Sequence, residues 1–434
     1  MPALSETTRQ RLLLLAMALL QAGFLVVRAR PYGSAAHGLV ATLAGAGFAA
    51  ALALAFVPAS SALRLRELLL GAAATRGRAL AVLLAATVGV GVASAFTQQA
   101  PSWDEKWVLH AAETWARGGA RELFARYGEN PWLGPQHPPL VPMLYGTLAD
   151  LVGPRLKALR LLNLVFGCGA IAAAYLIFEQ LYDRATALVA SLVLLASPLF
   201  VRIASAATND MPLTFFFLLA VLLALRLVRE PRDGLAVALG LAIGVGMLVK
   251  YTMLLVVPVL LVLVLIFRAT PLLPRYLPTV GAIALAIVLL WLDFAWEAGL
   301  LGAQQDRIAQ LVTVASRSPG WALDSIFTKT PSALGVYVVP FVLLGAVRAF
   351  RDRSASDVLV LAWIALVSVP LVLTLPDNRY FLPAFPAFAL LAARALLARP
   401  AWTVPALALA WVLCALTLVF YARIDLAQRV FLFH

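Results

Sequence analysis

Long apolar runs, separated by short polar connections, make up most of the chain. A helix needs about 20 apolar residues to cross the hydrocarbon core of a bilayer, and run after run has about that length. The pattern predicts an all-α fold, a polytopic transmembrane helical bundle with about 13 spans. The predicted spans are 10–28, 37–58, 79–97, 156–178, 184–202, 210–228, 233–250, 252–267, 276–297, 333–349, 356–375, 380–398 and 402–421.

Composition strengthens this prediction and removes one class of partner. The chain is 63% hydrophobic and only 13% charged, whereas soluble proteins average about 45–50% and about 25%. Its net charge of +13 suits cytoplasmic connections and anionic headgroups, so we expect membrane lipids and no nucleic acid as partners. Cys168 and Cys414 lie inside apolar runs and are expected to be buried hydrophobes rather than a disulfide or metal pair.

Arginines in alternate connections set the predicted orientation. With the N-terminus in the cytoplasm, the short inner connections are rich in arginine and the short outer ones are not, which is the positive-inside pattern. The inner arginines are Arg64, Arg66, Arg76, Arg78, Arg184, Arg229, Arg232, Arg268, Arg275, Arg348, Arg351, Arg353, Arg394 and Arg399. Two long loops, 97–155 and 299–332, then fall outside, and loops of that length are usually functional.

The first of these loops opens with two adjacent carboxylates, Asp104 and Glu105, directly after a span. Trp107, Ala111 and Trp115 follow at i, i+4 and i+8, which predicts a short amphipathic helix lying on the membrane surface. Asp104 then has two interpretations. It either caps this helix, with Glu105 favouring the helix dipole, or it serves as a base or metal ligand at the membrane surface.

Three polar segments precede helices that carry proline in their first turn, namely 136–139, 208–212 and 377–383. Capping explains one such start well. Three of them on the outer side predict helix N-termini directed into a shared outer cavity, where free backbone N–H groups favour an anion. His137 in the first segment is either a plain surface residue or a donor to a phosphate.

Lys250 ends an apolar run and has no acidic neighbour in sequence. It either snorkels to the interface or neutralises a lipid-linked phosphate at headgroup depth. The sequence lacks a phosphate-binding Gly-rich loop, a dinucleotide fingerprint and a Cys/His zinc spacing. Because the inner connections are also too short for a nucleotide-binding domain, a cytoplasmic nucleotide donor is disfavoured.

Taken in order, these segments resemble those of a known family. They are an Asp-Glu pair at Asp104, His-Pro-Pro-Leu from His137, Asp-x-Pro from Asp210, Lys250 at a hairpin tip, and Arg-Tyr-Phe-Leu-Pro from Arg379. The set is similar to that of the GT-C membrane glycosyltransferases. Specifically, it resembles the bacterial branch of the dolichyl-phosphate-mannose protein mannosyltransferase family, whose relatives include the lipid A aminoarabinose transferase.

The resemblance, which covers roughly residues 79–397, implies an activity and a domain organisation. It implies an inverting transferase that moves a hexose or pentose from a polyprenyl-phosphate donor to a lipid, glycan or protein acceptor. Its active site would face the periplasm or the cell exterior from the inner membrane. The implied domains are two extra N-terminal spans in 1–60, a GT-C catalytic membrane domain in 61–400, and a last span with a short outer tail and no soluble C-terminal domain in 401–434.

The resemblance also implies roles for single residues. Asp104 would be the general base that activates the acceptor, with Glu105 beside it as a second catalytic carboxylate. The implied donor-phosphate contacts are His137, Lys250, Arg379 and Tyr380, and the implied acceptor-supporting or metal-supporting residues are Gln136, Asn209 and Asp210. Gln136 stands where some relatives have a metal-binding Glu, so a divalent metal ion held by Asp104 and Asp210 stays an open question.

A transporter or flippase for a lipid-linked sugar is the rival interpretation. Transporters place charged sites near the bilayer midplane, often between inverted repeats. The candidate residues of this chain lie at the ends of predicted spans, and the sequence has no mirrored halves. This placement favours an enzyme that works at the membrane interface.

Overall fold

A computed structural model describes most of the chain: residues 57–97, 101, 103–130, 133, 137–302, 330–374 and 378–424, with isolated positions before residue 50 and between 306 and 313. Within these residues every regular element is a helix, so the expected all-α membrane fold is confirmed. Most of the predicted spans 10–28 and 37–58, most of the loop 299–332 and the tail after 424 lie outside the described residues. The domain boundaries stay predictions.

The described helices follow one another along the chain, most of them with short connections. They are α1 (Ala59–Ala72), α2 (Arg76–Thr97), α3 (Trp103–Ala125), α4 (Leu140–Val152), α5 (Leu156–Leu181), α6 (Arg184–Leu195), α7 (Pro198–Ala204), α8 (Asp210–Arg229), α9 (Asp233–Val249), α10 (Val256–Ile266), α11 (Leu273–Glu297), α12 (Thr330–Leu334), α13 (Val339–Asp352), α14 (Ala355–Thr374), α15 (Phe385–Leu397) and α16 (Pro400–Ile424). Short 3₁₀ segments lie at Tyr127–Glu129, Tyr251–Leu255, Thr270–Leu272 and Asn378–Ala384.

Fewer of these helices qualify as membrane spans than the apolar runs predict. Within the described residues, seven are long and apolar enough to cross a membrane, or eight if the bent pair α6 and α7 counts as one span. The count of about 13 spans is therefore not confirmed. The predicted spans 233–250 and 252–267 are shorter apolar helices, and the predicted span 333–349 is divided between α12 and α13.

Breaks in the backbone explain the difference. Gly335 follows α12 with a φ of 101°, a conformation that favours glycine, and α13 then begins with proline in its first turn. The predicted span 184–202 bends by 76° between α6 and α7, where Pro198 starts the second helix. A run of apolar residues indicates that a segment is compatible with lipid, but it does not indicate where the helix in that segment is interrupted.

Helix α1 occupies a segment that the arginine pattern assigns to an inner connection. It packs against α16 and buries Ala62, while Leu65 and Leu68 are exposed. The predicted inner connection therefore contains a short helix. Arg64 and Arg66 lie on the same short helix as these leucines, so the sequence has no continuous apolar run here.

Helices α9 and α11 pack closely through two glycines. A Cβ atom added at Gly240 would lie 2.9 Å from the carbonyl oxygen of Val280, and one added at Gly244 would lie 2.9 Å from Cδ1 of Ile287. Small residues four positions apart let membrane helices approach each other in this way. The contact fixes the end of α9, which Lys250 follows directly.

The first long loop is built largely from α3 and α4, which pack against each other. Val108, Ala111 and Ala112 of α3 are buried, so the predicted amphipathic helix is confirmed. The helix bends at Gly119, whose φ of 65° suits a residue without a side chain. Polar side chains at the start of α3 are thereby held against the end of the bundle.

The two ends of the bundle carry different chemistry. One end, named here the site end, contains the last residues of α2 and α9 and the first residues of α3 and α8. At the opposite end, named here the arginine end, Nε of Arg76 lies 2.7 Å from a carboxylate oxygen of Glu179, and Arg229 donates a hydrogen bond to the carbonyl of Gln180. The connections predicted to be cytoplasmic therefore meet at one end, away from the start of α8.

Candidate functional site

Asp104 lies in the first turn of α3, which begins at Trp103. Its carboxylate forms an ion pair with the guanidinium of Arg379, which lies 275 residues further along the chain. Both side chains are largely buried, with exposed fractions of 13% and 9%. Asp104 therefore does more than stabilise the start of its own helix, because it joins α3 to the 3₁₀ segment Asn378–Ala384.

Asp210 is the first residue of α8 and is buried. Its Oδ1 accepts a 2.6 Å hydrogen bond from Nζ of Lys250, and its Oδ2 lies 3.8 Å from Nη1 of Arg379. The Lys250 side chain is buried as well. Its ammonium group is thus held inside the site instead of snorkelling to the interface.

These four residues form a line of alternating charge, Lys250–Asp210–Arg379–Asp104, which we name the tetrad. The ring of Tyr380 borders both cations: its centroid lies 3.9 Å from Nζ of Lys250 and 5.6 Å from the guanidinium carbon of Arg379. An aromatic face stabilises cations at such distances. Each buried charge has an opposite charge beside it, which offsets the large desolvation cost of burying it.

His137 and Asn209 border the tetrad. His137 is buried and interacts electrostatically with Asp210, and its backbone carbonyl accepts a 2.7 Å hydrogen bond from the hydroxyl of Tyr127. Asn209 donates a 3.3 Å hydrogen bond from Nδ2 to the carbonyl of Val249, which ties the start of α8 to the end of α9. The structure therefore brings both predicted residues to the site.

Glu105 has different surroundings from its neighbour Asp104. Its side chain is fully buried, and its two oxygens pair with Nε and Nη2 of Arg160 at 2.8 Å each. Oε1 also accepts a 2.9 Å hydrogen bond from the backbone N–H of Ala207. This carboxylate joins α3, α5 and the segment before α8, so its geometry supports positioning. The catalytic role implied for Glu105 stays a prediction.

Tyr145 and Asn163, which belong to none of the predicted motifs, hold the segment leading into α8. The hydroxyl of Tyr145 donates a 2.8 Å hydrogen bond to Oδ1 of Asn163, and Nδ2 of Asn163 donates to the carbonyl of Ala206 at 2.5 Å. The sequence nevertheless contains a signal that could have identified Asn163. Arg160 and Asn163 are three positions apart inside an apolar run, which places two costly polar groups on one helix face.

A divalent metal ion at the tetrad would have to compete with cationic side chains. Asp104 and Asp210 already hold cationic partners, and a metal on Oδ1 of Asp210 would displace the Lys250 ammonium, 2.6 Å away. Within the described part of the chain, no group of three or more His, Cys, Asp or Glu side chains could hold a metal. Gln136, the further position implied for a metal, lies outside the described residues. The positive charge at this site comes from lysine and arginine.

Comparison with known proteins identifies the fold. Residues 136–293 match the family model described as dolichyl-phosphate-mannose-protein mannosyltransferase. The structure is similar to the crystal structure of ArnT from Cupriavidus metallidurans bound to undecaprenyl phosphate, with a TM-score of 0.56, 19% identity, and coverage of 74% of this chain and 60% of that chain. The chain has a GT-C fold. The predicted resemblance to the GT-C, mannosyltransferase-like enzymes is confirmed.

Two further solved structures resemble this GT-C fold. ArnT from Cupriavidus metallidurans in the apo state gives a TM-score of 0.51 at 20% identity, covering 73% of this chain and 59% of that chain. The apo form of the Archaeoglobus fulgidus oligosaccharyltransferase gives 0.50 at 14% identity, covering 78% and 55%. The chain thus spans between 55% and 60% of the length of these proteins. No curated protein matches the sequence.

Proposed function

We propose that this GT-C protein is a glycosyltransferase that moves a sugar from a polyprenyl-phosphate-linked donor to an acceptor, with inversion at the sugar carbon. One observation carries the proposal: the tetrad gathers two carboxylates, of which Asp210 is buried and Asp104 largely buried, and two buried cations from separate segments at one end of the fold. The donor class is supported by ArnT, which was solved bound to undecaprenyl phosphate. The matched mannosyltransferase segment contains His137, Asp210 and Lys250.

Lys250 and Arg379 are the donor-phosphate contacts in this proposal. The donor is a phosphate diester with one negative charge, whereas the released lipid phosphate is a monoester with a charge of about −1.5 to −2 at pH 7. Negative charge therefore grows on the phosphate during the reaction. Fixed cations stabilise the transition state more than the bound donor, which is the condition for catalysis. His137 adds a hydrogen-bond donor, and Tyr380 supports the Lys250 ammonium.

In the free protein, Asp210 and Asp104 form ion pairs with the two cations to which the donor phosphate would bind. Donor binding offers Arg379 a competing anion, so we expect its ion pair with Asp104 to open. Asp210 lies 3.8 Å from Arg379 and holds Lys250 at 2.6 Å, so it keeps both cations near the phosphate. The exchange leaves Asp104 as a free carboxylate beside the donor.

Asp104 is the general base in this proposal. It accepts the proton of the acceptor hydroxyl or amine while that oxygen or nitrogen bonds to the anomeric carbon. The bond from the anomeric carbon to the phosphate oxygen breaks, and its electron pair leaves with the lipid phosphate, which Lys250 and Arg379 neutralise. A single displacement of this kind inverts the carbon. A positioned base contributes about 10²–10⁴-fold to the rate.

The proposed orientation places the tetrad on the periplasmic or outer side of the inner membrane. The arginine-rich connections lie together at the opposite end, and such connections are typical of the cytoplasmic side. A lipid-linked donor then approaches from the outer leaflet. The acceptor, which is a lipid, glycan or protein, meets the donor at the same interface.

A donor-release assay with the full chain in proteoliposomes tests this function. The vesicles contain polyprenyl phosphate carrying a radioactive sugar, and a bacterial envelope extract supplies acceptors. We expect release of sugar-free polyprenyl phosphate together with radioactive acceptor whose new bond has the inverted configuration. Movement of the labelled lipid between leaflets without release of polyprenyl phosphate would contradict the proposal and favour a transporter or flippase.

A further inference from the structure

A cavity of about 590 Å³ lies at the arginine end, away from the tetrad. Ligand pockets in proteins commonly have about 300–1,000 Å³. Its lining comes from the start of α2, the ends of α5 and α8, and the start of α9, and the charged lining residues are Arg76, Glu179, Arg226, Arg229, Glu230 and Arg232. Leu176 and Leu235 add an apolar part to the lining. The proposed glycosyl transfer uses none of these residues.

The charges of the cavity are not balanced. Glu179 is shared by Arg76 at 2.7 Å and by Arg184 at 2.9 Å, and Glu230 pairs with Arg232 at 3.0 Å. Two carboxylates thus pair with three arginines, and Arg226 and Arg229 on α8 add two further positive charges. The cavity therefore carries excess positive charge.

Arg226 and Arg229 supply that excess. They are three positions apart on α8, so their side chains share one face of the helix. Arg229 donates to a backbone carbonyl, that of Gln180, which leaves its charge uncompensated. Within the part of the chain that the structure describes, the side chain of Arg226 forms no hydrogen bond or ion pair. Neighbouring guanidiniums in this state are suited to bidentate binding of a phosphate.

The location of the cavity indicates which kind of phosphate-containing molecule it is suited to bind. It lies where the spans α5 and α8 end, and a span ends at the depth of the lipid headgroups. Gly234 lines the cavity, and the same face of α9 continues with Val237 and Leu241, which are 39% and 46% exposed. This apolar face suits an acyl chain. We infer that the cavity binds the headgroup phosphate of an anionic phospholipid, with Arg226 and Arg229 as its principal contacts.

Native mass spectrometry of the full chain tests the inference. The protein is reconstituted in phosphatidylcholine vesicles that contain a minor share of phosphatidylglycerol, then extracted in mild detergent, and the retained lipid is identified. We expect wild type to retain phosphatidylglycerol in preference to phosphatidylcholine. The double variant Arg226→Gln/Arg229→Gln should bind it about tenfold more weakly, since two charge-assisted hydrogen bonds are lost.

The control is Arg351→Gln/Arg353→Gln, which removes the same charge at the same end but outside the cavity. That end is shared because Ser356 donates a hydrogen bond to the carbonyl of Leu181 at the end of α5. The single variant Arg226→Gln removes no contact seen in the structure, so it should fold normally and still lose affinity. Unchanged lipid preference in either Arg226 variant would overturn the inference. Displacement of phosphatidylglycerol by millimolar inorganic phosphate would overturn it too, by assigning the site to a soluble anion.

Discussion

Lys250 illustrates how the surroundings of one side chain decide what it can do. A lysine at the end of a span reaches water easily through its own long stem. Here its ammonium instead lies 2.6 Å from a carboxylate oxygen of Asp210 and 3.9 Å from the centroid of the Tyr380 ring. Burying two charges costs desolvation energy that a plain anchor would avoid. Such a position is understandable when the cation serves a bound anion.

The variant Lys250→Met tests this role. Methionine keeps much of the side-chain volume but removes the cation, and a hydrogen bond to a charged group contributes about 1.5–3 kcal/mol. We therefore expect the affinity for a polyprenyl-phosphate sugar to fall about tenfold or more, measured by equilibrium binding to the detergent-solubilised protein. Because this variant leaves Asp210 unpaired, Lys250→Met/Asp210→Asn serves as a charge-balanced second variant.

The matched control is Lys157→Met, which changes a lysine at the same end of the bundle. Lys157 lies 5.0 Å from the ring centroid of Phe96, at the junction of α2 and α5. It should leave donor binding unchanged. Equal donor affinity in wild type and both Lys250 variants would remove Lys250 from the phosphate site.

At the scale of helices, the Glu105–Arg160 pair fixes the geometry of the site. It joins α3 to α5, and through Ala207 it also joins the segment that leads into α8. Since Asp104 lies on α3 and Asp210 on α8, this buried pair sets how the two acidic residues face each other. A change here should act first on stability and only through it on activity.

We expect Glu105→Ala to lower the free energy of unfolding by about 3–5 kcal/mol, because Arg160 would keep a buried charge without its partner. Unfolding in a series of SDS and mild-detergent mixtures measures it. The control Glu122→Ala removes the exposed pair with Arg126, which should contribute less than about 1 kcal/mol. The double variant Glu105→Met/Arg160→Met should be more stable than Glu105→Ala. A loss equal to that of the Glu122 control would refute the positioning role.

Over the whole molecule, the apolar runs and the composition are sufficient to predict an all-helical membrane bundle, and polar residues at span ends can be named as site candidates. A charge at the edge of lipid is costly, so it marks a contact. The pairings could not be predicted. Asp104 and Arg379 are 275 residues apart, and the apolar pattern does not show where helices bend, as they do by 76° before Pro198.

The different partners of Asp104 and Glu105 follow from helix geometry, which a sequence motif does not describe. Adjacent residues on a helix point about 100° apart, so the two carboxylates cannot share one partner. One reaches Arg379 and the other reaches Arg160. An Asp-Glu pair in the sequence suggests two equivalent groups, whereas the structure gives the two carboxylates different partners.

The most direct test of the account is the single-turnover rate of sugar transfer in wild type, Asp104→Asn and the control Glu113→Gln, which changes another acidic residue of α3. We predict that Asp104→Asn transfers the sugar about 10²–10⁴-fold more slowly, while Glu113→Gln matches wild type. Donor affinity should be kept or raised in Asp104→Asn, because Arg379 loses a competing carboxylate. A wild-type rate of transfer by Asp104→Asn would contradict the assignment of the tetrad as the catalytic site.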